Sequence, residues 1–405
     1  MRDDVDTGSQ SFSLSPELIE MRDIARRIVR QELLPLERDF LLSPNHAYGV
    51  KETLNLQSVF PAAVVDRLIK ISRDTGFWYL FVPEEHGGSG LSTLAKLAIL
   101  EEFMYTAVPF PFANVPNILY ECRGNQVERF LRPVVEGEKT TCFAQTEADA
   151  GSDPGGMMKT TAKREPSGGW VLNGSKMWIS MAAESDIMLV QAVTDPEKRQ
   201  RGGITMFLVD RHNPRVRIEE GGIKTWLGPR SAQYVVHFDN CRVSDDEVLG
   251  EVGEGFRLGQ RWLMIHDRLF RGPYAIGKMQ RALDMSVEWA RQRVTFGKPI
   301  SERQAIQWQL VDMKVDIQAL RSMMYSAAAR ADSGEDVRAD ASLVKLCAGE
   351  WGTRTLDRAI QIHGAMGEAL ELPLTLFYRY LRHAQIGGGT NEIQRMLIAR
   401  HLLGR

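Results

Sequence analysis

The sequence predicts an α+β chain in three parts: an N-terminal all-α domain over 1–139, a central β-domain over 140–252 and a C-terminal four-helix bundle over 253–405. Three observations carry this. The first third repeats apolar residues at helical spacing. The middle changes to short apolar runs divided by turn residues. The last third returns to long helical stretches with short connections, the pattern of a bundle. A length of 405 residues exceeds what one small core organises.

In the first part, Ser15-Pro-Glu-Leu reads as a helix start with proline in the first turn, followed by Leu18, Met21, Ile24, Ala25 and Ile28 at helical steps. Residues 41–58 read as irregular and polar, and Val64 to Ser72 as a second amphipathic helix. Val82-Pro-Glu-Glu-His-Gly-Gly-Ser-Gly is a glycine-rich loop without the Lys-Ser/Thr ending of a phosphate loop. Leu94 to Tyr105 and Val115 to Tyr120 are again helical. After Lys139 the period changes. Thr141 to Gln145 alternates like a strand, and Asn173-Gly174 between apolar runs is a hairpin signal. Ile187–Val193, Gly203–Val209, Val216–Glu219, Tyr234–Phe238 and Glu247–Gly250 follow as short strands. From Gly253 the chain is helical: Phe256–Gln292, Gln304–Ser333, Ala339–His363, a helix from Pro373, and Glu392–Leu403. Met313, Ile317, Leu320 and Met324 form an apolar stripe read as core.

Hydrophobic residues make up 43% and charged residues 25%, with a net charge of −2, so no basic surface for nucleic acid is expected. No apolar run is long enough to span a bilayer, and the acidic start is no leader peptide. Cys122, Cys142, Cys241 and Cys347 are scattered, which argues against a zinc site or disulfide scaffold and makes a reducing cytoplasm the default. No metal motif is present.

The stretch Gln385-Ile-Gly-Gly-Gly-Thr-Asn-Glu-Ile-Gln-Arg395 interrupts helical sequence with three glycines, suited to backbone passing close to a large ligand. Thr390 and Asn391 stand where an N-cap belongs. Thr146 and Ser152 place hydroxyls in a polar loop, and Trp178 and Ser180 stand two apart at a strand end, an indole beside a hydroxyl. Arg293 ends a helix with a guanidinium suited to phosphate. Singly, each also fits an ordinary role in core or cap.

Together, Thr146-Glu-Ala-Asp-Ala-Gly-Ser-Asp, Lys176-Met-Trp-Ile-Ser, Arg293-Val-Thr-Phe-Gly-Lys-Pro-Ile with Gln304, and Gly389-Thr-Asn-Glu-Ile-Gln-Arg resemble the acyl-CoA dehydrogenase flavoproteins across nearly the whole chain. The resemblance implies FAD between β-domain and bundle, an acyl-CoA substrate, an electron-transferring flavoprotein as acceptor, and a homotetramer or dimer. It implies that Phe143, Thr146, Trp178 and Ser180 contact the flavin ring and that Ser152 lies near the thioester arm. Arg293, Phe296, Gln304, Gln361 and Gly364 would reach a neighbouring subunit's FAD, and Thr390 and Glu392 the pyrophosphate and adenosine side.

One departure decides the chemistry. Most members carry a catalytic glutamate before the Gly-Thr of the last block; here that position is Gly388, preceded by Gly387 in place of the usual tyrosine. Some branches place the base on the first bundle helix, directly before an arginine, and here that pair is Asp267-Arg268. Asp267 is therefore the expected base, with Arg268 and Gly388 beside the substrate. His266 points about 100° away on a helix. Two glycines on that wall imply room for a branched, cyclic or bulky acyl chain. A non-catalytic flavin-binding subunit and a flavin oxidase are the alternatives on the same scaffold.

Overall fold

A computed structural model describes residues 14–47, 50–230 and 233–404, with the side chains of 265–267 outside that description. The N-terminal part begins with helix Pro16–Ile28, whose first turn is capped by the Ser15 hydroxyl accepting from Leu18 N at 3.2 Å. Helices Ala62–Asp74 and Thr93–Phe103 follow. Two expectations change here. Residues 41–58, expected to be irregular, contain helix Glu52–Val59, and 115–120 narrows to a 3-10 turn at Asn117–Glu121. Helix Glu52–Val59 has no amphipathic stripe to announce it, since only Asn55 and Leu56 are buried.

The central sheet comprises β1 (Thr141–Ala144), β2 (Thr161–Arg164), β3 (Trp170–Ser180), β4 (Ile187–Val193), β5 (Ile204–Asp210), β6 (Val216–Ile218), β7 (Gln233–Val243) and β8 (Val248–Leu249). Their order is β6-β7-β3-β2-β4-β5-β8, with β1 parallel to β4. Strand β4 is buried along its whole length, which explains a sequence that is apolar except for Gln191, whose amide donates to Gly255 O at 2.7 Å. The hairpin expected at Asn173-Gly174 is displaced: both residues lie inside β3, where pairing with β7 slips between Leu172 and Gly174. The turn falls instead at Glu165–Gly169, closed by Glu165 N donating to Gly169 O at 3.0 Å. Gly174 takes φ +144, and a Cβ there would stand 2.6 Å from Thr160 Cα, so the glycine serves close approach within the sheet.

The C-terminal part confirms helices Gln304–Asp332, Arg338–His363, Leu374–His383 and Asn391–Leu402. The stripe Met313, Ile317, Leu320 and Met324 is fully buried. The single helix expected over 256–292 is three pieces: Gly255–Trp262, a π-helical turn Leu263–Leu269, and Arg271–Gln292. The N-terminal helices and the bundle share one core, joining Phe103 and Leu97 to Met279, Leu320 and Phe377. Across it Glu101 accepts from Arg321 Nη2 at 2.8 Å. The sheet buries one face internally and the other against Val115, Leu119, Phe130 and Leu258. Helix Gly255–Trp262 presses on that second face, where a Cβ at Gly259 would meet Gln191 Nε2 at 2.3 Å and Phe143 Cζ at 3.1 Å. This contact fixes the start of the bundle against the strand that carries Phe143.

Candidate active site

The site begins where β1 and β3 end. Phe143 on β1 is half-buried and packs on Trp262, ring centroids 4.6 Å apart. The chain then turns through Gln145, Thr146 and Glu147. Thr146 O accepts from Met177 N at 2.8 Å, tying this turn to β3. Beneath it lies an ion pair that the sequence reading did not single out: the fully buried Lys176 amine donates to Glu147 Oε1 at 2.9 Å and to Gln145 O at 3.0 Å. Glu147 also accepts from the backbone N–H groups of Lys159 and Thr160, at 2.6 and 3.0 Å. Burial pulls the Glu147 carboxyl up, but Lys176 and these donors hold it below its ordinary value. Burial pushes the Lys176 amine down to about 8, against the pull of Glu147. Both residues sit inside the sequence blocks quoted above. Their pairing was hidden because the contact joins positions 29 residues apart.

Above this pair Trp178 takes φ +62, a backbone region rare for a bulky side chain. Pairing with β7 slips between Lys176 and Ile179, so the indole rides on a bulge and not on a regular strand. Ile179 is buried, while Trp178 is 48% exposed and Ser180 half-buried. Ser180 Oγ accepts from Gln233 Nε2 at 2.8 Å. Gln145 Nε2 is buried without a hydrogen-bond partner among the described residues. A bare indole held on strained backbone, two hydroxyls and an orphaned amide donor form a surface that fits a flat ring with polar edges. These features match the demands of a flavin. Ser152 lies further out and is exposed.

The second wall comes from the C-terminal loop. Gly388 and Gly389 take φ +72 and +88. Lys345 Nζ donates to Gly389 O at 2.6 Å and to Asn391 Oδ1 at 3.2 Å, and Gln394 Nε2 donates to Gly389 O at 3.0 Å. Thr390 is the N-cap of the last helix, its hydroxyl accepting from Ile393 N at 3.4 Å, as its position predicted. Glu392 is exposed in the first turn, its carboxyl held below the ordinary range by its own backbone N–H first and the Thr390 side chain second. A Cβ at Gly387 would stand 2.9 Å from His383 Nε2. The space expected to open at that glycine is therefore partly taken by an imidazole.

Position 267 lies in the π-helical turn Leu263–Leu269, just before helix Arg271–Gln292. The Asp267 and His266 side chains lie outside the described residues. The neighbouring Arg268 is buried, 9% exposed. One turn on, Phe270 meets Phe81 at 5.4 Å, and Phe81 meets Phe112 at 5.4 Å, an aromatic wall joining the N-terminal part to the bundle. The sequence reading did not single out this wall, because its members come from three separate segments.

The remaining candidates lie on the surface. Arg293 caps helix Arg271–Gln292 and is exposed. Phe296, at φ +51 in the turn between Val294–Thr295 and Lys298–Pro299, is 97% exposed. Gln304, Gln361 and Gly364 are exposed as well. Among the described residues no group of three His, Cys, Asp or Glu is placed to hold a metal ion.

Comparison with known proteins agrees with this architecture. Models of the acyl-CoA dehydrogenase N-terminal, middle and C-terminal domains match residues 15–138, 142–241 and 253–403. The chain is 34% identical to (R)-benzylsuccinyl-CoA dehydrogenase of Thauera aromatica, over 97% of both chains. It is 32% identical to a 3-(aryl)acrylate reductase of Clostridium sporogenes, over 97% of this chain and 99% of the relative. Among solved structures, butyryl-CoA dehydrogenase of Megasphaera elsdenii superposes with a TM-score of 0.81 at 28% identity, covering 97% of this chain and 99% of the other.

Proposed function

The chain belongs to the acyl-CoA dehydrogenase family, and from that premise we propose that it oxidises an acyl-CoA thioester bearing a bulky, aryl-substituted acyl group to the 2-enoyl-CoA. Its relatives are oxidoreductases acting on CH–CH bonds of acyl-CoA, and its cofactor is FAD. The observation that carries the proposal is the C-terminal loop. Three glycines, two of them at positive φ, provide no carboxylate there. The base must come from another element, and Asp267, next to buried Arg268 on the π-helical turn, is the residue that takes the α-proton. Bound FAD supplies the acceptor for the β-hydrogen as hydride.

The chain's own residues do the rest. Thr146, Ser180, Trp178 and Phe143 would hold the flavin ring, the hydroxyls and loop backbone offering polar contacts and the two aromatic side chains apolar ones. The Lys176–Glu147 pair keeps those loops in register. Phe81, Phe112 and Phe270 line the acyl side, which supports an aryl group, as do the names of two relatives. Arg293, Phe296, Gln304, Gln361 and Gly364 complete a neighbour's FAD site in a homotetramer or dimer. Thr390 and Glu392 serve the pyrophosphate and adenosine end, and Ser152 the thioester arm. Electrons pass to an electron-transferring flavoprotein in the cytoplasm. Among the described residues no helix is long and apolar enough to cross a membrane.

Anaerobic titration with straight, branched and aryl acyl-CoAs tests this. Bleaching of the flavin by aryl thioesters, lowered at least 1,000-fold in rate in Asp267→Ala, is the expected result, in line with loss of a positioned base. A variant that bleaches at the wild-type rate would move the base elsewhere.

A further inference from the structure

Among the described residues, Trp178, Met181, Arg199, Asn240 and Phe296 hold positive φ without being glycine. Such backbone is costly beside a Cβ and persists where the surroundings fix it, often next to a ligand. Trp178, Met181 and Phe296 lie in or beside the stretches read above as flavin contacts. Asparagine tolerates this region, which accounts for Asn240. Arg199, at φ +47, has neither reason.

Arg199 opens the short turn Arg199–Arg201 between β4 and β5. The turn is closed on both sides: Arg199 N donates to Asp195 O at 3.0 Å, and Gly203 N to Arg199 O at 2.6 Å. The side chain leaves the turn altogether. Its Nη1 donates to Gly156 O at 2.9 Å and to Met158 O at 3.3 Å. Beside this contact Gly155 is packed so closely that an added Cβ would stand 2.7 Å from Gln200 Cβ and 2.9 Å from the Phe256 ring. Strain at one residue thus aims a guanidinium at two carbonyls of another loop.

That loop carries Ser152. Its two ends are drawn together by Glu147, which accepts from Lys159 N and Thr160 N. Within it, Asp149 accepts from Lys159 Nζ at 2.7 Å and Asp153 from Gly156 N at 3.0 Å. Gly155 and Met158 are buried, whereas residues 151–153 are exposed. The tip therefore stands out from a base held at its ends by Glu147 and on its outgoing limb by Arg199. Space filling does not call for arginine here, because the side chain is only half-buried and glycine would suit the backbone better. What arginine adds is the grip on the loop.

We propose that Arg199 is a positioning residue for the arm of the thioester: by holding Gly156 O and Met158 O it sets the tip at Ser152 against the pantetheine portion of the substrate. This rests on the reading of the chain as an acyl-CoA dehydrogenase in which Ser152 serves that arm, and it deepens that reading. Arg199 then acts on affinity through the arm, and not on the acyl group or on proton and hydride transfer.

The test uses the FAD-loaded full-length protein and three cinnamoyl thioesters, of methanethiol, of pantetheine and of CoA. These are already enoyl thioesters, so the flavin stays oxidised and binding is read from the perturbation of its absorbance. Wild type is compared with Arg199→Gly, which keeps the turn and removes the guanidinium. Arg199→Asn, which tolerates the same backbone and is too short to reach the loop, is run beside it, so that either variant decides the matter if the other folds poorly. In wild type the pantetheine thioester is expected to bind roughly tenfold more tightly than the methyl thioester, the worth of one good hydrogen bond. In the variants most of that gain disappears, while the methyl thioester binds as in wild type. A gain that survives in the variants overturns the proposal. So does a loss confined to the step from pantetheine to CoA, which would make Arg199 a direct phosphate contact, or an equal loss for all three probes, which would mark general damage. Wild type that binds all three thioesters but is never bleached by 3-phenylpropanoyl-CoA would overturn the dehydrogenase reading instead, and the binding comparison would still decide the role of Arg199.

Discussion

Lys176 and Lys278 show how the same buried amine acts differently with its partner. Lys176 has Glu147, and removing either member would strand the other charge inside the β-domain, a loss of about 3–5 kcal/mol. Lys278, buried on helix Arg271–Gln292 with its amine donating to Tyr274 O at 3.2 Å, has no carboxylate partner among the described residues, and its effect on stability follows from proton linkage. Its amine titrates near 10.5 in the unfolded chain and near 7 when folded. Between those values the unfolded chain holds the extra proton, so stability rises with pH from about 7 to 10.5, and the full cost is present below 7. At about 1.4 kcal/mol per unit the cost is on the order of a few kcal/mol. Lys278→Met should therefore raise the urea midpoint of the ligand-free protein, more at pH 6.5 than at pH 9.5. An equal gain at both pH values would mean that folding does not shift the amine's titration and that it stays protonated in the folded core over this range.

At the scale of elements, the pattern of helices and strands was legible from period, and the exceptions share a cause. Asn173-Gly174 carries the composition of a tight turn, yet the chain uses it as a bulge because Thr160 approaches from the next strand. Local composition cannot separate these uses, since both need a residue free of Cβ. The same limit applies to the π-helical turn Leu263–Leu269. Its apolar spacing reads as unbroken helix, and only the packing on both sides reveals the extra residue. The glycines offer a direct comparison. Gly168, in the real turn, has φ +93 and nothing closer to its added Cβ than Asp245 Oδ2 at 3.6 Å. Gly168→Ala should cost about 1 kcal/mol through backbone strain alone. Gly174→Ala meets backbone at 2.6 Å and should cost about 3 kcal/mol or more, with loss of bound FAD as Thr160 and its bond to Glu147 move. Thermal midpoints and flavin content of the two variants check the ranking. Equal losses would make Gly174 an ordinary turn residue.

At the scale of the molecule, helix Gln304–Asp332 is apolar on two opposite sides. Met313, Ile317, Leu320 and Met324 fill the core, while Trp308, Val311 and Val315 are 62%, 58% and 58% exposed. Beside them an open groove of about 690 Å³ runs along helix Arg271–Gln292, where Leu283 and Val287 lie among charged side chains that include Asp284, Glu288, Arg291 and Lys314. Phe296 projects from the adjoining hairpin. The repeat was readable in the sequence, but periodicity reports only that a side is apolar, not what covers it. The same applies to Arg293, Phe296 and Gln304, whose residue types pointed to a ligand although one chain leaves them in solvent. In the proposed assembly a second copy of the chain would cover this strip. Replacing Trp308 and Val315 together by glutamate would put charge on that strip without touching the core stripe. Sedimentation should then show a smaller assembly, and the purified protein should lose most of its FAD, because in the proposed assembly a neighbour completes each cofactor site. Asp267→Ala, in the same experiment, should keep both mass and colour. If the double variant kept the wild-type mass, the strip would not be the assembly face. If it became monomeric but stayed fully yellow, the exposed arginine and phenylalanine would have no role in a neighbour's flavin site.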